Sequence, residues 1–123
     1  MNPKKIYLAI PYSGIQESSY EQANVATSIL INEYDFNVFS PITHSHPLTK
    51  LGVKGSWDYW KILDFQFIDW ADEVYVLIPK EGLIKNFLST GVVEEIRYAE
   101  QYLKPVKFVY LSEDGKKLEY LFI

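Results

Sequence analysis

The sequence predicts an α/β protein, with helices packed on both faces of a mostly parallel sheet of four or five strands. Three observations lead there. Apolar runs of strand length recur near residues 5–10, 36–39, 73–79 and 106–111. Between them stand segments whose apolar residues repeat at helical spacing. Most connections are short, and strands alternating with helices in this way place a parallel sheet between two helical layers. The result is a three-layer sandwich of flavodoxin/Rossmann-like type. At 123 residues, the expected organisation is a single domain, residues 1–123, around one core.

Lys5-Ile6-Tyr7-Leu8-Ala9-Ile10 is nearly continuous in apolar side chains, as in a strand covered on both faces. Pro11-Tyr12-Ser13-Gly14 breaks it. Ser18 or Ser19, followed by Glu21 or Gln22, is the expected cap of a first helix. Its Ala23, Ala26, Ile29, Leu30 and Tyr34 fall at helical spacing. Asp35 ends it, and residues 36–39 form the second strand. Residues 40–55 read as one long loop with two prolines, two glycines and two histidines, and long loops in small domains tend to be functional. Ser56-Trp57-Asp58 opens a second helix reaching about Trp70, with Trp60, Leu63, Phe67 and Trp70 toward one side. Residues 73–79 form the third strand. A third helix over residues 89–103 stops ahead of Pro105. Residues 106–111 form the fourth strand, and the Asp114-Gly115 turn signal returns the chain as a fifth over residues 118–122.

Composition removes several classes of function. A net charge of −4 argues against a nucleic acid polymer as partner. The chain has no cysteine, so it has no disulfide frame and no thiolate nucleophile. No apolar run approaches the roughly 20 residues that span a bilayer, and Met1-Asn2-Pro3-Lys4-Lys5 does not open a signal peptide. The expectation is a soluble, cytoplasmic protein with no membrane partner. Ten tyrosines and three tryptophans supply a core or an interface, or line a cleft for a planar ligand.

In such folds ligands sit beyond the C-terminal ends of the strands. That edge receives the loops at residues 11–14, 41–46 and 79–89. Neither Gly-x-Gly-x-x-Gly nor a P-loop is present, so no dinucleotide or P-loop cofactor is expected. Thr43-His44-Ser45-His46 invites a metal, but no cysteine or third ligand stands at a suitable spacing, and none is expected. A Ser-His-Asp triad can be drawn on paper, without a nucleophile elbow to support it. The histidines then line the cleft or hold the loop. Ser89 or Thr90 caps the third helix, whose start offers N–H groups and a positive dipole end to an anion. Glu94 and Glu95 point about 100° apart, so one can face solvent while the other faces the sheet edge. Two solvated acids on a capped surface helix are the plainer alternative. Asp64 lies among Ile62, Leu63, Phe65, Phe67 and Ile68. It either pairs with Lys61 on the helix surface or aims into the cleft.

Three motifs resemble those of the nucleoside 2-deoxyribosyltransferase superfamily, which includes deoxyribosyltransferases and 2′-deoxynucleoside 5′-phosphate N-hydrolases. They are Lys5-Ile6-Tyr7-Leu8-Ala9-Ile10-Pro11-Tyr12-Ser13, Asp64-Phe65-Gln66-Phe67-Ile68-Asp69-Trp70-Ala71-Asp72, and Ser89-Thr90-Gly91-Val92-Val93-Glu94-Glu95-Ile96-Arg97-Tyr98-Ala99. Phe39-Ser40-Pro41-Ile42-Thr43-His44-Ser45 and Trp57-Asp58-Tyr59-Trp60 resemble features of its DUF1937-type branch. The resemblance implies that Glu95 attacks C1′ of the sugar to form a glycosyl-enzyme ester, leaving Glu94 as its solvent-facing neighbour. A carboxylate suits this, because breaking an N-glycosidic bond passes through an oxocarbenium-like state. Asp64 would assist departure of the base or hold the sugar, and Tyr7 would position Glu95. Ser89 would bind a 5′-phosphate, with Ser13 doing likewise from the first loop. Gly91, Tyr12, His44 and Trp60 complete the expected substrate-binding set, and Trp57 and Tyr59 are further candidates for stacking on a base. Pro11-Tyr12-Ser13-Gly14 departs from the glycine- and arginine-bearing loop of the hydrolases. The partner implied is a small-molecule nucleoside or nucleotide, acted on by a homodimer or higher homo-oligomer. Three functions follow: N-glycosidic hydrolysis of a nucleoside or its 5′-monophosphate, base exchange by transfer of the sugar, or a nucleotide-binding module without catalysis. Intact Asp64 and Glu95 argue against the last.

Overall fold

Alternation along two central strands decides which helical layer each residue feeds. In a strand, successive side chains point to opposite faces. Ile6, Leu8 and Ile10 go to one side, with Tyr75 and Leu77, and pack on Ala23, Ala26, Ile29 and Leu30. Tyr7 and Ala9 go to the other, with Val74 and Val76, and pack on Ile68, Ala71, Val92 and Ala99. Both faces of the sheet are therefore covered, as the apolar runs predict.

The computed structural model describes residues 3–82 and 90–121. The elements are β1 (Lys5–Ala9), α1 (Gln16–Tyr34), β2 (Asn37–Phe39), α2 (Pro41–Thr49), α3 (Trp57–Trp70), β3 (Glu73–Ile78), α4 (Thr90–Gln101), β4 (Val106–Leu111) and β5 (Leu118–Tyr120). They form a five-stranded sheet in the order β2-β1-β3-β4-β5. The pairs β1–β2, β1–β3 and β3–β4 are parallel, and only β5 runs antiparallel, on β4. This is the flavodoxin-like order. The chain leaves β1 for β2 on one side and later returns to β3 on the other, so the switch point lies between β1 and β3. Ile68 of α3 and Val92 and Ala99 of α4 share the face opposite α1.

Two local expectations are corrected. Residues 40–55 are not one loop, because residues 41–49 form a helix. Ser40 is its N-cap, with a hydroxyl that accepts from the Thr43 N–H, and Pro41 occupies the first turn, where its missing N–H costs nothing. Pro47 lies inside the helix but near its end. The Thr43 hydroxyl ties this helix to α1 through Asn24, at 2.7 Å. Ser18 and Ser19 do not cap α1, which begins at Gln16 after an Ile15 without a capping side chain. Ser19 instead donates to the Pro11 carbonyl, and Ser18 donates to Glu81. Among the described residues, no helix is long and apolar enough to cross a membrane.

Helix α4 ends in a paired turn. The Leu103 N–H reaches the Glu100 carbonyl at 3.1 Å, and the Lys104 N–H reaches that of Ala99 at 2.8 Å. The pattern is a Schellman motif, which needs a left-handed residue at its corner. Leu103 holds that place with φ 60°, although its side chain is 90% exposed. A β-carbon there costs roughly 1–2 kcal/mol, and little buried surface offsets it. Leu103→Gly is therefore expected to stabilise the protein by about 1 kcal/mol, raising Tm by roughly 3–6 °C. Thermal melts of the two proteins measure this, and an unchanged or lower Tm contradicts it.

Candidate active site

Tyr7 is wholly buried on the central strand β1, on the face that meets α3 and α4. Its phenol needs a hydrogen-bond partner there, since a buried unpaired hydroxyl costs a few kcal/mol. It donates to Glu95 Oε2 of α4. Asp64 of α3 stands close enough to the same hydroxyl to influence it electrostatically. The two carboxyls are nearly inaccessible, at 6% exposure for Asp64 and 5% for Glu95. Two acids 31 positions apart in the chain (95 minus 64) thus meet beside one tyrosine. Lys61 pairs instead with Asp58, at 3.5 Å, which removes the surface-pair reading of Asp64.

Asp64 and Glu95 open onto a cavity of about 340 Å³. Ile10, Tyr12 and Ser13 line it from the end of β1, and Pro41, Ile42, Ser45 and Thr49 from α2 and its start. Trp57, Trp60 and Asp64 come from α3, and Gly91, Val92 and Glu95 from α4. The location, beyond the C-terminal end of β1 at the switch point, is where this fold binds ligands.

The cavity wall is aromatic where α3 meets α4. A β-carbon at Gly91 would lie 3.6 Å from the Trp57 ring, an ordinary contact, so the ring packs directly over the glycine. The Trp57 indole N–H donates to Glu94. The expected division between the adjacent acids holds for Glu95, which turns inward. Glu94 is not simply solvated, because it is half-buried and fixes the tryptophan.

The structure brings Tyr7, Asp64 and Glu95 together and places Tyr12, Ser13, Gly91 and Trp60 on the cavity. His44 is not among the lining residues. It is exposed and stands edge-on to Trp60, at 6.3 Å between ring centres. Tyr59 is likewise exposed and off the cavity. Ser89 lies outside the described residues. Sequence reasoning missed Ser45 and Thr49 on α2, while the buried His46 of the same helix holds its neighbours by hydrogen bonds, one of the two roles expected of the histidines. The Ser40-Pro41 pair, a cap followed by a first-turn proline, was the available signal. No group of three or more His, Asp or Glu among the described residues could hold a metal ion.

Burial penalises the charged form of both acids. It pushes the Asp64 carboxyl up to about 7, opposed by the nearby Tyr7 hydroxyl, which pulls it down. It pushes Glu95 up to about 8, again opposed by Tyr7, with the charges of Asp64 and Glu94 adding to the rise. Burial also holds the Tyr7 phenol well above its ordinary range, so Tyr7 stays a donor. Groups this close titrate as a pair, and the pair keeps at least one proton at neutral pH.

The folded state therefore binds more protons than the unfolded chain from about pH 4 to pH 8, and stability falls as pH rises through that window. Asp64→Asn removes one of the two penalties. The variant is expected to gain on the parent between pH 4 and pH 9, by on the order of a few kcal/mol at the alkaline end. Denaturant unfolding of both proteins across that range tests it. A constant gap would mean that Asp64 ionises like a solvated acid.

Among solved structures, the chain is similar to a 2-deoxyribosyltransferase of the psychrotolerant bacterium Bacillus psychrosaccharolyticus. The TM-score is 0.61 and the identity 27%, over 86% of this chain and 72% of that one. That enzyme is described as a biocatalyst for the synthesis of antiviral and antitumoral nucleosides. No protein-family model matches the chain, and no curated protein does.

Proposed function

The chain belongs to the nucleoside 2-deoxyribosyltransferase superfamily, and from that premise we propose that it cleaves the N-glycosidic bond of a nucleoside through a covalent intermediate on Glu95. The observation that carries this reading is the buried trio of Tyr7, Asp64 and Glu95, whose two acids line one cavity. Glu95 attacks C1′ as the bond to the base breaks, and the bonding electrons leave with the base nitrogen. Asp64, the protonated partner, delivers a proton to the departing base. Tyr7 donates to Glu95 and favours charge there, and of the two ways the pair can hold its proton the reactive one has Glu95 ionised and the proton on Asp64. Water or a second base then attacks C1′, the C1′–oxygen bond to Glu95 breaks and returns its carboxylate, and Asp64 takes back the proton.

The incoming group distinguishes hydrolysis from base exchange. Likeness to a deoxyribosyltransferase favours exchange. No lysine or arginine lines the cavity among the described residues, which favours an uncharged nucleoside over a nucleoside 5′-monophosphate. The anion-binding role of Ser89 and Ser13 belongs to the monophosphate alternative. Self-association is part of the reading, and the exposed Ile62 and Tyr102 of the α3–α4 side offer apolar surface for it.

A panel of nucleosides and nucleoside monophosphates, with and without an acceptor base, tests the proposal by chromatography of the products. Free base without acceptor indicates hydrolysis, and a new nucleoside indicates exchange. Glu95→Ala is expected to lower either activity by about a thousandfold or more. Glu94→Ala acts through Trp57, so a several-fold rise in KM with kcat largely kept is expected, on the order of 1 kcal/mol. Equal losses in kcat from both variants would overturn the assignment. So would release of no base from any nucleoside.

The trio also sets a pH profile. Activity requires one ionised and one protonated carboxyl, so kcat/KM is expected to be bell-shaped around neutral pH. Asp64→Asn should remove the alkaline limb. An alkaline limb that survives the substitution contradicts the acid role.

A further inference from the structure

We infer that the Tyr12 end of the cavity is built to accept a hydrogen bond from the ligand, with its polarity set by His46 and Glu17 behind it. The inference rests on reading the cavity as a nucleoside site and specifies which ligand group that end recognises.

The Tyr12 hydroxyl lies 2.6 Å from Nδ1 of His46. Nε2 of the same ring lies 3.0 Å from Glu17 Oε1. His46 is buried, at 4% exposure, under the ring of Tyr20, 4.6 Å away between centres. Glu17 is at the surface and also pairs with Lys50, at 3.4 Å. The three side chains therefore form one line from solvent to the cavity wall.

The direction of the hydrogen bonds along that line follows from what each group can do. A neutral imidazole has one N–H and one lone pair. The Glu17 carboxylate only accepts, and its hydrogen bond to His46, with Lys50 beside it, holds it below the usual carboxylate range. The ring proton therefore sits on Nε2, leaving the Nδ1 lone pair facing Tyr12. Tyr12 must donate to it, because the other arrangement sets two lone pairs against each other. Burial raises the Tyr12 phenol, so it keeps that proton. Its single hydrogen is committed away from the cavity, and its oxygen offers lone pairs only. Thr49 adds to this polarity: its hydroxyl lies beside that of Tyr12 and donates to the His46 carbonyl at 2.7 Å. A ligand group reading this wall must carry a hydrogen to give, either an exocyclic amine on the base or a hydroxyl on the sugar.

Equilibrium binding tests this in a Glu95→Ala background, so that nucleosides stay intact. Amine and oxo forms of one base are compared (2′-deoxyadenosine with 2′-deoxyinosine, 2′-deoxycytidine with 2′-deoxyuridine). Each 2′-deoxynucleoside is also compared with its 2′,3′-dideoxy and 2′,5′-dideoxy forms. The donor-bearing member of one pair is expected to bind roughly tenfold tighter or more. The base and sugar arms tell which group is read. Adding Tyr12→Phe should bring that ratio close to one. Glu17→Lys, an exposed change, should also collapse the ratio. Its ammonium donates to Nε2, which moves the ring proton to Nδ1 and frees the Tyr12 hydrogen to point into the cavity. A ratio unchanged by Tyr12→Phe overturns the inference, as does no preference for the donor in any pair, or no nucleoside binding at all. If the donor preference appears but the Glu95 enzyme releases no base, the inference stands and the proposed activity falls.

Discussion

The Tyr7–Glu95 hydrogen bond is the interaction on which the site depends, because it joins the first strand to the last helix across the protein interior. Neither partner tolerates its position alone. A phenol with no exposure and a carboxyl with almost none are both costly to bury unpaired. Each satisfies the other, and Asp64 enters the same pocket from α3. The arrangement requires β1 to be central, with odd-numbered residues facing α3 and α4, and α4 to follow β3. The parallel order supplies all of this. A one-residue slip of β1 would turn Tyr7 toward α1 and separate it from both acids.

That dependence explains why a small domain keeps two carboxyls where water scarcely reaches. Their raised pKa values make the folded state less stable in alkali, and the same shift keeps a proton available at neutral pH. Two further polar groups of the cavity are held by second partners: Trp57 by Glu94, and Tyr12 by His46. Helix α2, packed on α1, carries the second of these contacts and contributes to the cavity wall.

Much of the fold was legible because buried parallel strands write themselves as short apolar runs. The boundaries of β3 and β4 fall within a residue of those read from pattern. Helix α2 was hidden by its two prolines and by the glycines just after it, which together look like a loop. Ser40-Pro41 carried the contrary signal, a cap with a first-turn proline. Without the helix there is no rotation to assign, so both histidines were read as lining the cleft or holding the loop, and His44 was the one put in the substrate-binding set. In the structure His46 is the buried one. Ser18 and Ser19 illustrate a different limit. Their hydroxyls bond to the Pro11 carbonyl and to Glu81, partners set by tertiary packing that local sequence does not encode. The meeting of Asp64 with Glu95 is likewise long-range. The pattern showed only that Asp64 stands among apolar neighbours and that Glu94 and Glu95 cannot share one face, and the pairing came from family motifs.

Carbon-13 NMR titration of the two carboxyls, followed from about pH 4 to pH 10 in the parent and in Tyr7→Phe, tests the shared, buried pair directly. Both signals should move in two separated steps well above the range of a solvated carboxylate, and loss of the Tyr7 hydroxyl should raise the Glu95 step further. Two independent transitions near the ordinary carboxylate range, indifferent to Tyr7→Phe, would show that no such pair exists.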